Sequence, residues 1–227
     1  MWQDDEDLFA TVRQKLFTAV VGDVLDKMGY RDQFLPPGIR PLDPQWVMVG
    51  RAMPVLEADY PDLGQPGVNE WGRKHFGLML EALDDLKPRE IYVATGASPR
   101  YALWGGLMST RAQKLGAAGA VLHGYSRDTT EIQNLGFPTF SYGPYAQDQA
   151  PRGKVIDFRL PLEIERVRVS PGDILFGDRE GVLVVPQVAE QEAFRRALEK
   201  IAAENLVREA IEHGMSAVEA YARYGVM

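Results

Sequence analysis

A chain of 227 residues, 45% of them hydrophobic, is long enough for one generous core. With 25 basic against 32 acidic residues, a net charge of −7 and no lysine- or arginine-rich block, it lacks the surface a nucleic acid requires. The absence of cysteine excludes disulfides, thiolate nucleophiles and the usual structural zinc sites, and three scattered histidines argue against a Ser-His-Asp triad.

The segment DLFATVRQKLF sets Leu8, Phe9, Val12 and Leu16 on one helical face. Thr18 is placed to cap a second helix, AVVGDVLDKMG, which Gly29 ends, and Asp23 and Asp26 read as its solvated carboxylates. LPPGIRPLDP is a proline-rich connector, and WVMVGRAMPVL (46–56) reads as a strand with Pro54 at an edge or bend. The turn-rich ADYPDLGQPGV is a candidate lid. Across 69–86, Trp71, His75, Leu78, Leu80 and Leu83 recur at helical steps, and His75 reads as a packed boundary residue rather than a ligand.

Strand (90–95), helix (107–115), strand (120–123), helix (129–135) and strand (139–142) then alternate, which implies a β-α-β-α-β unit with a parallel component. From Lys154 the chain reads as short antiparallel strands, with turns at Ser170-Pro171-Gly172 and Asp178-Arg179-Glu180-Gly181. A long helix over 188–214 and a short one in SAVEAYARYGVM follow. The simplest organisation is one α/β domain over 1–227, with a helical arm from about residue 187. No apolar run approaches the length of a membrane span, and the start MWQDDEDLF is acidic rather than signal-like. A cytoplasmic protein with no membrane partner is therefore expected.

The chemistry concentrates between Trp104 and Pro138. Gly105 and Gly106 let the backbone approach a ligand closely, and the unpaired N–H groups that open the following helix form a seat for an anion. Past the next strand come Arg127 and Asp128, with Glu131 three residues on. An anion seat, a guanidinium and a carboxylate suit a small carboxylate substrate held against a divalent metal. A plainer reading also stands, in which Asp128 caps the helix over 129–135 with Glu131 at its third position.

The spacing Gly106, twenty residues, Arg127-Asp128, two residues, Glu131 resembles the motif of the 4-hydroxy-4-methyl-2-oxoglutarate aldolase family. That family also contains the regulator of ribonuclease activity A and proteins once labelled demethylmenaquinone methyltransferases. TAVVGDVLDKMG, GFPTF and VSPGDILFGDREGVLVVP resemble its N-terminal helix, post-motif strand and late hairpin, so the likeness runs from Thr18 into the C-terminal helix. It implies an α-β-β-α sandwich with a mixed sheet, assembled as a trimer or a dimer of trimers with the site at the subunit interface. It also implies a Mg2+- or Mn2+-dependent lyase, a class II pyruvate aldolase or oxaloacetate decarboxylase. Arg127 would bind the 2-oxo acid and Asp128, with Glu131, the metal, while the amides of Gly105, Gly106, Leu107 and Met108 would meet the carboxylate. A glutamate from a neighbouring C-terminal helix, here Glu204, would complete the catalytic set.

The resemblance has one departure. Many aldolases of the family carry Asp where this chain has Gly106, whereas the ribonuclease-regulator members more often carry Gly. Without a carboxylate there as proton relay, decarboxylation is expected to survive better than aldol cleavage, with His123 or a loop residue as the substitute proton donor. The alternative function is a non-enzymatic, ring-shaped regulator. Methyl transfer has no support, because GASPRYALWGG is not the glycine-rich turn a nucleotide-like donor needs. Tyr60, Arg100, Tyr101 and Trp104 shape a pocket for a substrate larger or more polar than oxaloacetate, such as a sugar-acid derivative, or else Tyr101 and Trp104 pack at a subunit interface.

Overall fold

The computed structural model describes residues 2–61, 67 and 69–225. In chain order the elements are α1 (Asp5–Lys15), α2 (Thr18–Lys27), β1 (Arg40–Pro41), β2 (Met48–Asp59), α3 (Glu70–Arg73), α4 (Met79–Asp84) and β3 (Glu90–Thr95). Next come β4 (Ala102–Trp104), α5 (Gly106–Lys114), β5 (Gly119–Leu122), β6 (Tyr125–Ser126), α6 (Thr129–Leu135) and β7 (Thr139–Ser141). Then follow β8 (Gly153–Phe158), β9 (Leu162–Ile164), β10 (Val167–Val169), β11 (Ile174–Asp178), β12 (Gly181–Val185), α7 (Glu190–Glu212) and α8 (Ala217–Tyr224). These form two compact units, one of residues up to 31 together with those from 188 onward, the other of residues 32–187. None of the described helices is long and apolar enough to cross a membrane.

The first unit is helical. Asp4 caps α1 by accepting from the Asp7 N–H at 3.0 Å, and Leu8, Phe9 and Val12 are buried as their spacing requires. Thr18 does not cap α2. It is fully buried inside the first turn, and Phe17 takes the N-cap position. Gly29, at φ +94°, ends that helix as expected. Trp2 meets the ring of Phe194 on α7 edge-on at 6.3 Å, and Lys200 of α7 pairs with Asp23 of α2 and, at 3.2 Å, with Glu204. Ser216 and Glu219 open α8 with a reciprocal capping box.

The second unit is built on a mixed sheet in the order β1-β7-β5-β3-β2-β11-β12, with β8 also paired to β2. The β2–β3, β3–β5 and β5–β7 pairs are parallel, as the alternation of strands and helices implies, and β8, β11 and β12 join antiparallel. Residues 33–41 bridge the two ends of this order. The Leu35 N–H donates to Val182 O of β12 and the Val184 N–H to Gln33 O, both at 2.9 Å, while β1 pairs with β7. The sheet therefore nearly closes on itself. Alternation along β3 fills two cores, with Tyr92 and Ala94 facing one and Ile91 and Val93 the other.

Pro54 sits where β2 passes from its pairing with β11 to its pairing with β8, which is how a residue without an N–H is accommodated in a central strand. The single helix expected over 69–86 is broken into α3 and α4. Gly77 lies between them at φ +63°, bridged to Val155, and a Cβ there would stand 2.1 Å from the Val155 carbonyl oxygen. Tertiary pairing with β8 overrides the helical pattern at that point. Of the candidate lid, residues 62–66 and 68 lie outside the described residues.

Candidate functional site

Two short strands position the site, and their pairing was not legible in the sequence. β4 runs parallel to β6, and the Arg127 N–H donates to Trp104 O at 2.9 Å. The glycine turn after β4 and the Arg-Asp pair after β6 therefore emerge side by side, beyond the carboxyl ends of parallel strands where α/β folds hold ligands. Trp104 is buried and donates its indole N–H to Ser109 Oγ at 2.6 Å, and Ser109 Oγ donates to Gly105 O at 3.1 Å. These two bonds fix the turn from α5. Gly105 is required by close approach, since a Cβ on it would stand 2.8 Å from Asp128 Oδ2.

Asp128 does not play the capping role its sequence position allows. Its backbone is left-handed (φ 57°, ψ 36°), its side chain makes no cap bond to α6, and Oδ2 accepts from the Gly106 N–H at 3.1 Å. A non-glycine residue held in that conformation stores strain, and such strain collects at ligand sites. Arg127 Nε lies 3.8 Å from Asp128 Oδ2, and its Nη1 reaches Asp148 Oδ1 at 3.2 Å. Asp148, from the loop before β8, carries no sequence signal that would single it out. The Leu107 and Met108 N–H groups in the first turn of α5 take no partner among the described residues.

Glu131 stands directly over Gly106. A Cβ built on Gly106 would lie 2.2 Å from Glu131 Oε2 and 2.4 Å from its carboxyl carbon. Gly105, Gly106, Leu107, Met108, Arg127, Asp128 and Glu131 are thus brought together. Glu204 belongs to the other unit, on α7, where it pairs with Lys200.

Beside Arg127 and Asp128 opens a cavity of about 440 Å³. Trp104 lines it, but the other residues considered for a polar distal pocket do not. Arg100 Nη2 pairs with Asp59 Oδ2 at 2.9 Å, the Tyr101 hydroxyl donates to Asp59 Oδ1 at 3.0 Å, and Tyr60 packs edge-on against Trp71 at 5.7 Å. Although burial works to raise the Asp59 pKa, hydrogen bonds from Ser98, Arg100 and Tyr101 hold it down to about 2. His123 does not line the cavity either. Its Nδ1 is 2.9 Å from Thr95 Oγ1, and burial keeps the ring below the ordinary histidine pKa, with Glu165 opposing.

Gln149, in the cavity wall beside Asp148, donates from Nε2 to Oε2 of the buried Glu57 at 2.9 Å. Burial pushes the Glu57 carboxyl up to about 8, so it is largely protonated at neutral pH.

The sequence pattern of the RraA-like family (Aldolase/RraA) matches residues 18–184. The chain belongs to the RraA-like family. It is 28% identical over 215 residues to a protein of Halalkalibacterium halodurans that carries the provisional name 4-hydroxy-4-methyl-2-oxoglutarate aldolase, covering 94% of this chain and 93% of that one. It is 34% identical over 97 residues to the 4-hydroxy-4-methyl-2-oxoglutarate aldolase of Thermus thermophilus, covering 43% of this chain and 58% of that one. It spans only 20% of the Legionella pneumophila protein DlpA, with 32% identity over 122 residues. Among solved structures, an uncharacterized protein from Pseudomonas syringae pv. tomato superposes with a TM-score of 0.82 at 28% identity, over 98% of this chain and 96% of that one. Streptomyces coelicolor RraAS2, described as an unusual member of the RNase ES inhibitor RraA protein family, shares the fold with a TM-score of 0.77 at 21% identity, over 92% and 99% of the two chains.

The donor set of this RraA-like site fits a hard, well-hydrated cation. Among the described residues no three His, Asp or Glu side chains converge as a closed cage. Asp128 and Glu131 offer carboxylate oxygens on either side of the glycine turn, and a magnesium-like ion takes one or two carboxylates with water and substrate completing its shell.

Proposed function

We propose that this RraA-like protein is a divalent-metal-dependent carbon–carbon lyase that releases pyruvate from a 4-hydroxy-2-oxo acid or a 2-oxo diacid. The observation that supports this is the convergence, at the mouth of one cavity, of the Arg127 guanidinium, the Asp128 carboxylate and the open N–H groups of α5. The substrate carboxylate accepts from the Leu107 and Met108 N–H groups, where the helix dipole favours an anion. Arg127 stabilises the negative charge that grows on the 2-oxo oxygen as the bond breaks. Asp128 would hold Mg2+ or Mn2+, which when bound supplies Lewis acidity toward the 2-oxo group.

Cleaving C3–C4 of a 4-hydroxy-2-oxo acid and losing carbon dioxide from oxaloacetate leave the same pyruvate enolate. The first also requires a base for the 4-hydroxyl, and the second does not. Glu131 Oε2 occupies the space over Gly106 that a side chain at 106 would fill, and we assign it that proton. In a trimer or dimer of trimers, Glu204 from a neighbouring copy would add a further carboxylate. The test is pyruvate release from oxaloacetate and from 4-hydroxy-2-oxo acids, with magnesium, with a chelator, and with Asp128→Ala. Release that the chelator stops and Asp128→Ala abolishes supports the lyase. Release no greater than the metal-only background on every substrate would overturn it in favour of a regulator that binds a partner without turnover.

A further inference from the structure

The Trp104 indole packs between the rings of Tyr92 and Phe137, whose centroids lie 4.9 Å and 6.1 Å away. An indole N–H can only donate, so Ser109 Oγ must accept from it, and the single hydroxyl proton of Ser109 goes on to Gly105 O. Gly105 O and the Gly106 N–H belong to one peptide group. A bond accepted at its oxygen polarises the group and strengthens the bond that its N–H donates to Asp128 Oδ2. A directed chain thus runs from the indole, through the Ser109 hydroxyl and one peptide unit, to the Asp128 carboxylate. Trp104, Ser109 and Gly106 are all buried, where such a chain is strongest. Asp128 Oδ2 also faces Arg127 Nε at 3.8 Å, while Oδ1 takes no partner among the described residues. The chain therefore distinguishes the two oxygens of a carboxylate that is otherwise exposed.

We infer that Trp104 and Ser109 are positioning residues for Asp128, whose Oδ2 their hydrogen-bond chain ties down so that Oδ1 is left to a divalent cation. Outer partners of this kind hold a ligand in its binding orientation before the ion arrives, and losing one typically costs about 10- to 100-fold in affinity. The cation at Asp128 rests on the lyase reading, whereas the chain that holds the carboxylate does not.

The experiment uses Ser109→Ala, Trp104→Phe and the double variant. In the metal-free proteins, nuclear magnetic resonance follows the Gly106 amide proton, whose shift reports the strength of its bond to Asp128. Electron paramagnetic resonance of free Mn2+ then gives the affinity of each protein for that ion. Ser109→Ala should move the Gly106 proton upfield and weaken Mn2+ binding about tenfold. Trp104→Phe, which removes only the first link, should move both in the same direction by less. The double variant should match Ser109→Ala, because the indole acts through the hydroxyl. Effects that add in the double variant would mean that the two side chains act by packing alone, and overturn the inference. A Gly106 proton that Ser109→Ala leaves in place does the same, as does an Mn2+ affinity that survives every substitution. The lyase reading fails separately. If the native protein takes up no Mn2+ while the Gly106 proton still follows the chain, Asp128 is held as inferred and the metal-dependent lyase is removed.

Discussion

The Glu131 carboxylate fills the space over Gly106, so closely that a Cβ on residue 106 would lie 2.2 Å from Oε2. Any side chain at 106 would require the exposed Glu131 carboxylate to swing aside. An aspartate at 106 would also set two like charges together. Glu131→Gln should lower pyruvate release from 4-hydroxy-2-oxo acids by about 10²- to 10⁴-fold, the usual contribution of a general base, and slow oxaloacetate decarboxylation far less. Gly106→Asp alone should lose activity, and Gly106→Asp with Glu131→Ala should regain aldol cleavage. Equal losses on both substrate classes in Glu131→Gln would remove Glu131 as the base.

The left-handed backbone of Asp128 allows its two contributions to be measured separately. Asp128→Ala and Asp128→Gly both delete the carboxylate and should abolish chelator-sensitive turnover. Only glycine relieves the φ of 57°. Urea denaturation should find Asp128→Gly more stable than Asp128→Ala by about 1 kcal/mol. Equal stabilities would mean that the conformation carries no strain.

Glu57 gives the fold a pH dependence. Its carboxyl is pushed up to about 8 by burial, whereas an exposed glutamate titrates near 4.3. Below about pH 4 both states are protonated and Glu57 is neutral in its effect. As pH rises toward 8 the unfolded chain releases this proton first, so the folded state loses relative stability across that window. Glu57→Gln should therefore match the native protein near pH 4 and exceed it at pH 8 by on the order of 2–5 kcal/mol in urea titrations. A parallel pH profile for the two proteins would show that Glu57 ionises without penalty.

Gly77 is held by its conformation and by its neighbour. At φ +63° with Val155 O in the way of any Cβ, Gly77→Ala should destabilise the protein by about 2 kcal/mol or more, measured by thermal or urea unfolding. A loss below half a kcal/mol would mean that the α3–α4 break has slack.

The order of strands and helices around the candidate site was legible in the sequence. Gly106, Arg127, Asp128 and Glu131 stand at turns and helix starts, where local patterning is informative, and β3 and α6 run over the expected residues. What eluded the sequence depends on contacts between distant segments. The pairing of β4 with β6 spans two and three residues, too few for periodicity to register. Asp148 reaches Arg127 from a loop whose next residue, Gln149, is bonded to Glu57, ninety-two positions away. Asp128 turned away from the cap it could have formed because a neighbouring helix start, at Gly106, offered its carboxylate an N–H. Nor does the sequence show that Arg100 and Arg111 are each paired, one with Asp59 and the other with Asp84.

The central place of β2 has a consequence for synthesis. Its first half pairs with β11, and Arg51 finds Ile174 as its partner. While the chain emerges from the ribosome, β3 can dock on one side of β2, but the other side stays open until most of the second unit has been made. Long-range pairing of this kind slows folding and leaves a strand edge available to other chains in the meantime. The exposure of nascent β2, rather than weakness in the finished sheet, is where this fold is most open to aggregation.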